Sequence, residues 1–233
     1  MKKCLICDKK LYEEPTMIHT LWGIDLAESD YCLDCLMAFE PLIGPNCLGC
    51  GRKVKEEGKV CGDCGYWKKK QVTLLKHQAL YVYNEQMKAY MAKYKFIGDY
   101  RMARLFQKRM HEMIRQIIKK EKIDYVVPIP VSKTRYGTRG FNQVVPYLPP
   151  TPKVIEALKV RKNKGKDQSE KSRQARLHAK QPFILDQEKV KRLKGKRVLL
   201  VDDVYTTERT LYHAQARLLE AGATFVTSCS LAR

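Results

Sequence analysis

Apolar positions recur at two periods along this chain. Phe106, Met110, Ile114 and Ile117 repeat at three- and four-residue intervals, which lays one apolar stripe along a helix. The pattern predicts helix over 84–95 and over 99–120, with Gly98-Asp99 as the break and cap between them. Short continuous apolar runs predict strands at Ala79–Tyr83, Ile123–Ile129, Val154–Val160, Arg197–Val201 and Thr224–Leu231. Thr210–Ala221 reads as a helix closed by Gly222. Strands alternating with helices imply an α/β fold, a mostly parallel sheet covered on both faces.

The first 67 residues do not share this pattern. They hold eight of the nine cysteines, as four C-x2-C pairs: Cys4/Cys7, Cys32/Cys35, Cys47/Cys50 and Cys61/Cys64. Each such turn aims two thiolates at one tetrahedral ion, and two turns complete a four-sulfur site. Glycine follows the second cysteine in the last two pairs (Gly51, Gly65), where it lets the backbone turn and point an amide at a sulfur. The expectation is two structural zinc ions, paired in order along the chain, with an interleaved pairing left open. A disulfide framework needs an oxidising compartment, and no export signal precedes these pairs. Four redox-active pairs in so short a module are too many. His19 is an alternative ligand between the pairs. Cys229 stands in a strand-like run and reads as a small core residue. Tyr66–Lys70 is the expected exit, which divides the chain into a metal module over 1–67 and a larger domain over 68–233.

Charge sharpens that division. The chain has 233 residues and a net charge of +20. Residues 1–70 carry 11 basic and 11 acidic side chains, whereas 71–233 carry 34 basic against 14 acidic. The whole excess therefore lies in the larger domain, which favours a polyanion over a merely solvated basic surface. No run approaches the ~20 apolar residues that cross a bilayer, and a cytoplasmic location is expected.

Neither G-x-x-x-x-G-K-[ST] nor G-x-G-x-x-G occurs, which removes the P-loop and the dinucleotide fingerprint. What does occur is Arg197-Val-Leu-Leu-Val-Asp202-Asp203-Val-Tyr-Thr206-Thr207-Glu208-Arg209-Thr210. An apolar strand ends in two acids, then a hydroxyl-rich turn, then a helix. Open α/β sheets bind ligands at the carboxyl ends of their strands. The turn amides, the threonine hydroxyls and the helix start suit a phosphate, and the paired acids suit vicinal hydroxyls. Together they suit a sugar phosphate. A solvated turn and helix cap is the plainer alternative.

This segment resembles the phosphoribosyl-diphosphate (PRPP) motif of type I phosphoribosyltransferases. The whole chain resembles the ComF family of late-competence proteins, which join a double zinc ribbon to a phosphoribosyltransferase domain. The resemblance rests on the four cysteine pairs, Tyr94-Lys95-Phe96-Ile97-Gly98-Asp99, Val127-Pro-Ile-Pro130, Arg139-Gly140-Phe141-Asn142-Gln143, and Gln168-Ser169 with Ser172-Arg173 and Arg176. It implies that Asp202 and Asp203 hold the ribose hydroxyls. Thr206, Thr207 and Thr210, with Glu208, Arg209 and the backbone between them, would surround the 5′-phosphate. Ser132 and Lys133 would meet pyrophosphate, assisted by Arg135 and Arg139, unless these three cations are a solvated face. Mg2+ would accompany PRPP. The basic stretch 162–180 corresponds to the family's mobile active-site loop; a linker or a nucleic-acid surface is the alternative. Implied partners are single-stranded DNA, a helicase-like competence ATPase of the ComFA type, and PRPP or a related sugar phosphate.

Two departures stand out. Glu208 replaces the family's usual glycine and puts a negative charge beside a phosphate, a repulsion of about 1–2 kcal/mol in water-like surroundings. It counts against turnover. Ala179 stands near where many relatives carry Asn. Tyr90, Tyr94, Phe96, Tyr136 and Phe141 lie among basic residues and are either base-stacking candidates or core. His77, His111, His178 and His213 read as surface or helix residues.

Overall fold

The computed structural model describes residues 2–11, 30–69, 73–97, 100–151, 153–161, 181–206 and 209–233. Among the described residues of the cysteine-rich region are two short helices, α1 (Leu33–Met37) and α2 (Gly62–Lys69). Four parallel strands form the main sheet: β1 (Gln78–Tyr81), β2 (Tyr125–Pro128), β5 (Arg197–Val204) and β6 (Phe225–Ala232), in the order β1-β6-β5-β2. Between β1 and β2 run α3 (Glu85–Ala92), a wide π turn (Lys93–Ile97), a 3-10 turn (Tyr100–Ala103) and α4 (Arg104–Lys120). Asn84 caps α3 by accepting from Met87 N at 3.0 Å. A seven-residue helix, α5 (Lys133–Arg139), follows β2, and α7 (Arg209–Glu220) joins β5 to β6. Gly222, at φ +90°, closes α7 as expected.

The pleat explains why both faces of this sheet are apolar. Along β5, Leu199 and Val201 join the core under α4 with Phe106, Met110, Ile114 and Ile117. Val198 and Leu200 join the core under α7 with Leu211, Ala214 and Leu218. The apolar stripe read from sequence on 99–120 is therefore one wall of the first core. Cys229 is fully buried there, a small core residue as expected.

One strand prediction needs correction. Residues 154–160 do not form a single strand. Val154 makes one parallel bridge to Val126 at the edge of β2, and only Leu158–Val160 (β3) is extended. β3 pairs antiparallel with Phe183–Leu185 (β4), a strand too short to stand out in sequence, and a four-residue helix, α6 (Gln187–Val190), follows. Residues 155–157 belong to no strand, and Ala157 N donates back to Ile155 O at 3.0 Å, so the apolar pattern there reflects burial rather than one strand. The basic stretch 162–180 connects β3 to β4 and lies outside the described residues. Its two ends are held together by Arg161 N donating to Pro182 O at 2.7 Å, and Arg217 of α7 donates to Phe183 O at 3.2 Å.

The cysteine-rich region shares its packing with the sheet. Phe39 stands edge-on to Tyr81, Tyr90 and Phe106, with ring centres 4.9–6.2 Å apart. Tyr31 donates to Met102 O at 3.1 Å, and Pro41 bridges to Tyr81.

Candidate functional site

Two four-cysteine sets are assembled, Cys4/Cys7/Cys32/Cys35 and Cys47/Cys50/Cys61/Cys64. The sulfurs of each set lie within 4.8 Å of one another. Zinc–sulfur bonds of about 2.3 Å in a tetrahedron require sulfur–sulfur edges of about 3.8 Å. The Cys7–Cys32 and Cys50–Cys61 edges are both 3.6 Å, so each set fits one metal ion of that kind. The pairing follows chain order and is not interleaved. His19 lies outside the described residues.

The glycines work differently from the sequence expectation. Gly51 does turn with φ +69°, and a Cβ there would stand 2.8 Å from His77 O. Its amide, however, donates to Cys47 O, while the Cys61 amide donates to Cys47 Sγ at 3.1 Å. Gly65 continues α2 with open space around it. Gly49 is the tighter requirement, because a Cβ would come within 2.6 Å of Cys64 Sγ.

β2 and β5 pair in parallel, and their carboxyl ends lie side by side. Ile129 N donates to Val201 O at 2.9 Å, so the chain leaving β2 starts beside Asp202. β5 is longer than the apolar run suggests and carries both acids inside its last turns of pleat, Asp202 paired with Ser230 and Val204 with Ala232. Neighbouring strand residues face opposite ways. Asp203 continues the face of Leu199 and Val201 and meets Lys95 of the π turn, Nζ to carboxylate 2.9 Å. Asp202 folds back to accept from the Asp203 amide at 2.8 Å. Burial, then the adjacent Asp203 charge, push the Asp202 carboxyl up to about 7, against the pull of that amide and of Lys95.

That shift has a definite sign. The fold favours protonated Asp202, so its contribution to stability is full below the ordinary carboxyl value of 3.8 and is lost as pH rises through about 7. Asp202→Asn should therefore flatten the pH dependence of chemical unfolding between pH 4 and 8. An unchanged slope in that window contradicts the buried acid.

The remaining predicted residues divide clearly. Ser132 accepts from Arg135 N at 3.2 Å and caps α5, which places Lys133, exposed, at the helix start. Arg139 donates to Gln143 Oε1 at 2.9 Å. Thr206 is exposed and Thr210 half-buried on α7. Thr207 and Glu208 lie outside the described residues, and Arg209 is described only as the first residue of α7. Asn142 donates to Ile129 O at 3.1 Å, and Tyr94 donates to Gln143 O at 2.9 Å. The Arg139–Gln143 motif thus braces the end of β2 against the π turn.

Lys95 is the residue the sequence reading left without a role. Its signal was the π turn, a one-residue widening that no apolar spacing reveals. Tyr90 and Tyr94 are fully buried and cannot stack on bases; exposed Tyr136 and Tyr100 can, the latter edge-on to half-buried Phe141 at 5.3 Å. The Phe96 side chain lies outside the described ones, as does His178.

His77 is neither a surface nor a helix residue. It is buried against β6, with Nδ1 2.9 Å from Ser228 Oγ and Nε2 3.0 Å from Ser230 Oγ. Ser230 donates its own proton to Ala232 O, so it accepts from His77 Nε2–H, and Nδ1 accepts from Ser228. Burial, with the nearby Arg233 charge second, holds the imidazole well below its usual range and hence neutral.

Comparison with known proteins now decides the family. A family model for the phosphoribosyl transferase domain matches residues 99–233. The competence protein ComFC of Streptococcus pneumoniae (strain ATCC BAA-255 / R6) is 34% identical over 99% of this chain and 100% of its own. The chain belongs to the ComFC family. The competence protein ComFC of Bacillus subtilis (strain 168) is 31% identical over 99% of this chain and 94% of its own. A solved structure of the allosteric regulatory enzyme of purine biosynthesis matches 53% of this chain and 25% of that one, at 19% identity. Its TM-score of 0.30 is too low to bear on this fold. This ComFC-family protein combines a phosphoribosyltransferase-type α/β domain with two four-cysteine sets that could each hold a metal ion. Among the described residues no helix is long and apolar enough to cross a membrane.

Proposed function

We propose that this chain is a competence protein that acts on single-stranded DNA during natural transformation and carries a PRPP-type site. The observation that supports it most is full-length likeness to two ComFC proteins, with paired acids held at the carboxyl end of β5. In this reading the chain divides into a double zinc ribbon, 1–67, and a phosphoribosyltransferase-like domain, 68–233, and works in the cytoplasm. Asp202 and Asp203 accept hydrogen bonds from ribose hydroxyls. Thr206, Thr207 and Thr210, with the Glu208–Arg209 backbone, surround the 5′-phosphate. Lys133, Arg135 and Arg139 supply positive charge for pyrophosphate, and Ser132 fixes their helix. Mg2+ bound with PRPP would neutralise part of the diphosphate charge. The eight cysteines hold two structural zinc ions.

Exposed cations support the DNA part of the reading. Arg101, Arg104, Lys108, Arg115 and Lys119 are all exposed at helical spacing on the 3-10 turn and α4, interrupted only by Glu112. The charge-balanced ribbon suits a protein partner better than DNA, and the helicase-like ATPase of the ComFA type is the partner we assign to it. Glu208 favours a second reading, in which the domain binds DNA and partners without turnover. A nucleobase-salvage transferase is a third, with no base-recognition signature to favour it.

The test is complementation. Expressed in a naturally competent host lacking its own ComFC, this chain should restore transformation. The purified protein should bind a labelled single-stranded oligonucleotide with affinity that falls steeply as salt rises. Soluble protein that neither complements nor binds the oligonucleotide overturns the proposal.

A further inference from the structure

Arg233 touches both the second cysteine set and the loop that follows β5. Arg233 follows β6, and its backbone pairs with β1, N donating to Tyr81 O at 2.9 Å. Its Nη2 donates to Cys50 Sγ at 3.0 Å. Its Nη1 donates to Tyr205 O at 3.2 Å, and the guanidinium carbon stands 4.1 Å from the centre of the Tyr205 ring. Tyr205 is buried and immediately precedes Thr206, where the hydroxyl-rich turn begins. The Tyr205 ring also lies 4.4 Å from the His77 imidazole, and the His77 amide donates to Gly49 O, inside the Cys47-x2-Cys50 turn.

These contacts are physically connected. A thiolate bound to a metal keeps lone pairs that accept hydrogen bonds, and such outer donors orient the ligands. A guanidinium's planar fork holds two acceptors in a fixed relative geometry, whereas the three donors of an ammonium rotate about a flexible stem. Here one tine holds a metal-ligand sulfur and the other holds the main chain at the root of the loop. The imidazole route is parallel: Gly49, His77 and Tyr205 form a second short chain of contacts between the same two places.

We infer that Arg233 is a positioning residue that couples the second four-cysteine metal site to the loop beginning at Tyr205. It rests on the metal reading of Cys47, Cys50, Cys61 and Cys64 given above. With the metal in place, Cys50 holds the guanidinium, and the guanidinium holds Tyr205 O and packs on its ring. Loss of the metal frees Cys50, and the loop root loses its hold through Arg233 while the Tyr205 amide stays on Ala232 O at 2.9 Å. The coupling is reciprocal: loosening Arg233 must loosen the hold on the metal.

Hydrogen exchange read by mass spectrometry on the full-length protein tests this. The variants are Cys47→Ser, Arg233→Met, their combination, and Cys4→Ser at the other metal set. Cys47→Ser and Arg233→Met should each speed exchange in peptides covering 204–210 by roughly tenfold, within the range usual for coupled sites. The combination should add little to either alone, because both break one connection. Cys4→Ser should leave those peptides at the wild-type rate. Arg233→Met should also retain two metal ions per chain yet surrender the second to a chromogenic chelator several-fold faster than wild type. A merely structural arginine would not change that rate selectively.

Wild-type exchange at 204–210 in Arg233→Met overturns the coupling. So does full additivity in the combination. Should Cys47→Ser unfold the sheet at large, Arg233→Met decides alone, by its loop exchange against its unchanged sheet exchange. Metal content left unchanged by Cys47→Ser sinks the metal reading instead, and the loop exchange of Arg233→Met still reports on the contact itself.

Discussion

Asp202→Asn combined with Asp203→Asn should abolish transformation in a complemented host while leaving a folded protein. Asparagine keeps the shape of both side chains. The folded state gains from losing the half-buried Asp202 carboxyl and loses from parting Lys95 and Asp203, so the net change in folding stability is small. Ligand binding has no such compensation. Each carboxylate that accepts from a ribose hydroxyl contributes about 1.5–3 kcal/mol as a charged hydrogen bond. Losing two weakens a ribosyl ligand by roughly a hundredfold or more. The check is transformation frequency beside a thermal melt of the purified variant. Wild-type frequency with a wild-type melt refutes an essential ribosyl site.

The second large effect belongs to the cysteines. Cys47→Ser with Cys61→Ser removes one sulfur from each pair of the second set, and bound metal should fall from two ions per chain to one by emission spectrometry. Apparent metal-binding free energies of structural zinc sites are about 10–16 kcal/mol near neutral pH, and a site of this kind has little else to fold around. The damage should not stop there. Cys47, Cys50 and Cys64 lie in one core with Val198, Leu200 and Leu211, so the melting temperature of the whole chain should drop. Unchanged metal content contradicts the assignment of these ligands.

The parts legible in sequence are those whose signal is local. The four cysteine pairs fall in order into two metal sets because each C-x2-C turn is its own recognition unit. The Phe106–Ile117 stripe becomes the wall of a core because helical periodicity directly reports one buried face. The acids after Val201 stand near the carboxyl end of β5 because the apolar run that marks the strand stops just before them. What escaped is set by contacts distant in sequence. Nothing near Lys95 announces Asp203, and nothing near His77 announces Ser228 and Ser230, more than 150 residues away in the chain. Of the two readings of Tyr90 and Tyr94, base-stacking or core, the structure selects core: both are buried beside Tyr147, and Tyr90 donates to Met102 O at 2.8 Å. The break at 154–160 also lies beyond local reading, since β3 exists only by pairing with β4 across the basic stretch.

Glu208 makes one titration decisive for the central claim, that the carboxyl end of β5 still holds a PRPP-type ligand. The measurement is calorimetric titration of metal-loaded, full-length protein with PRPP and Mg2+, with the Asp202→Asn/Asp203→Asn variant beside it. Saturable heat from wild type and none from the variant is the predicted result, and it would justify screening acceptors with pyrophosphate release as the readout. No heat from well-folded wild type would contradict the claim and leave the domain as a repurposed binding module for single-stranded DNA.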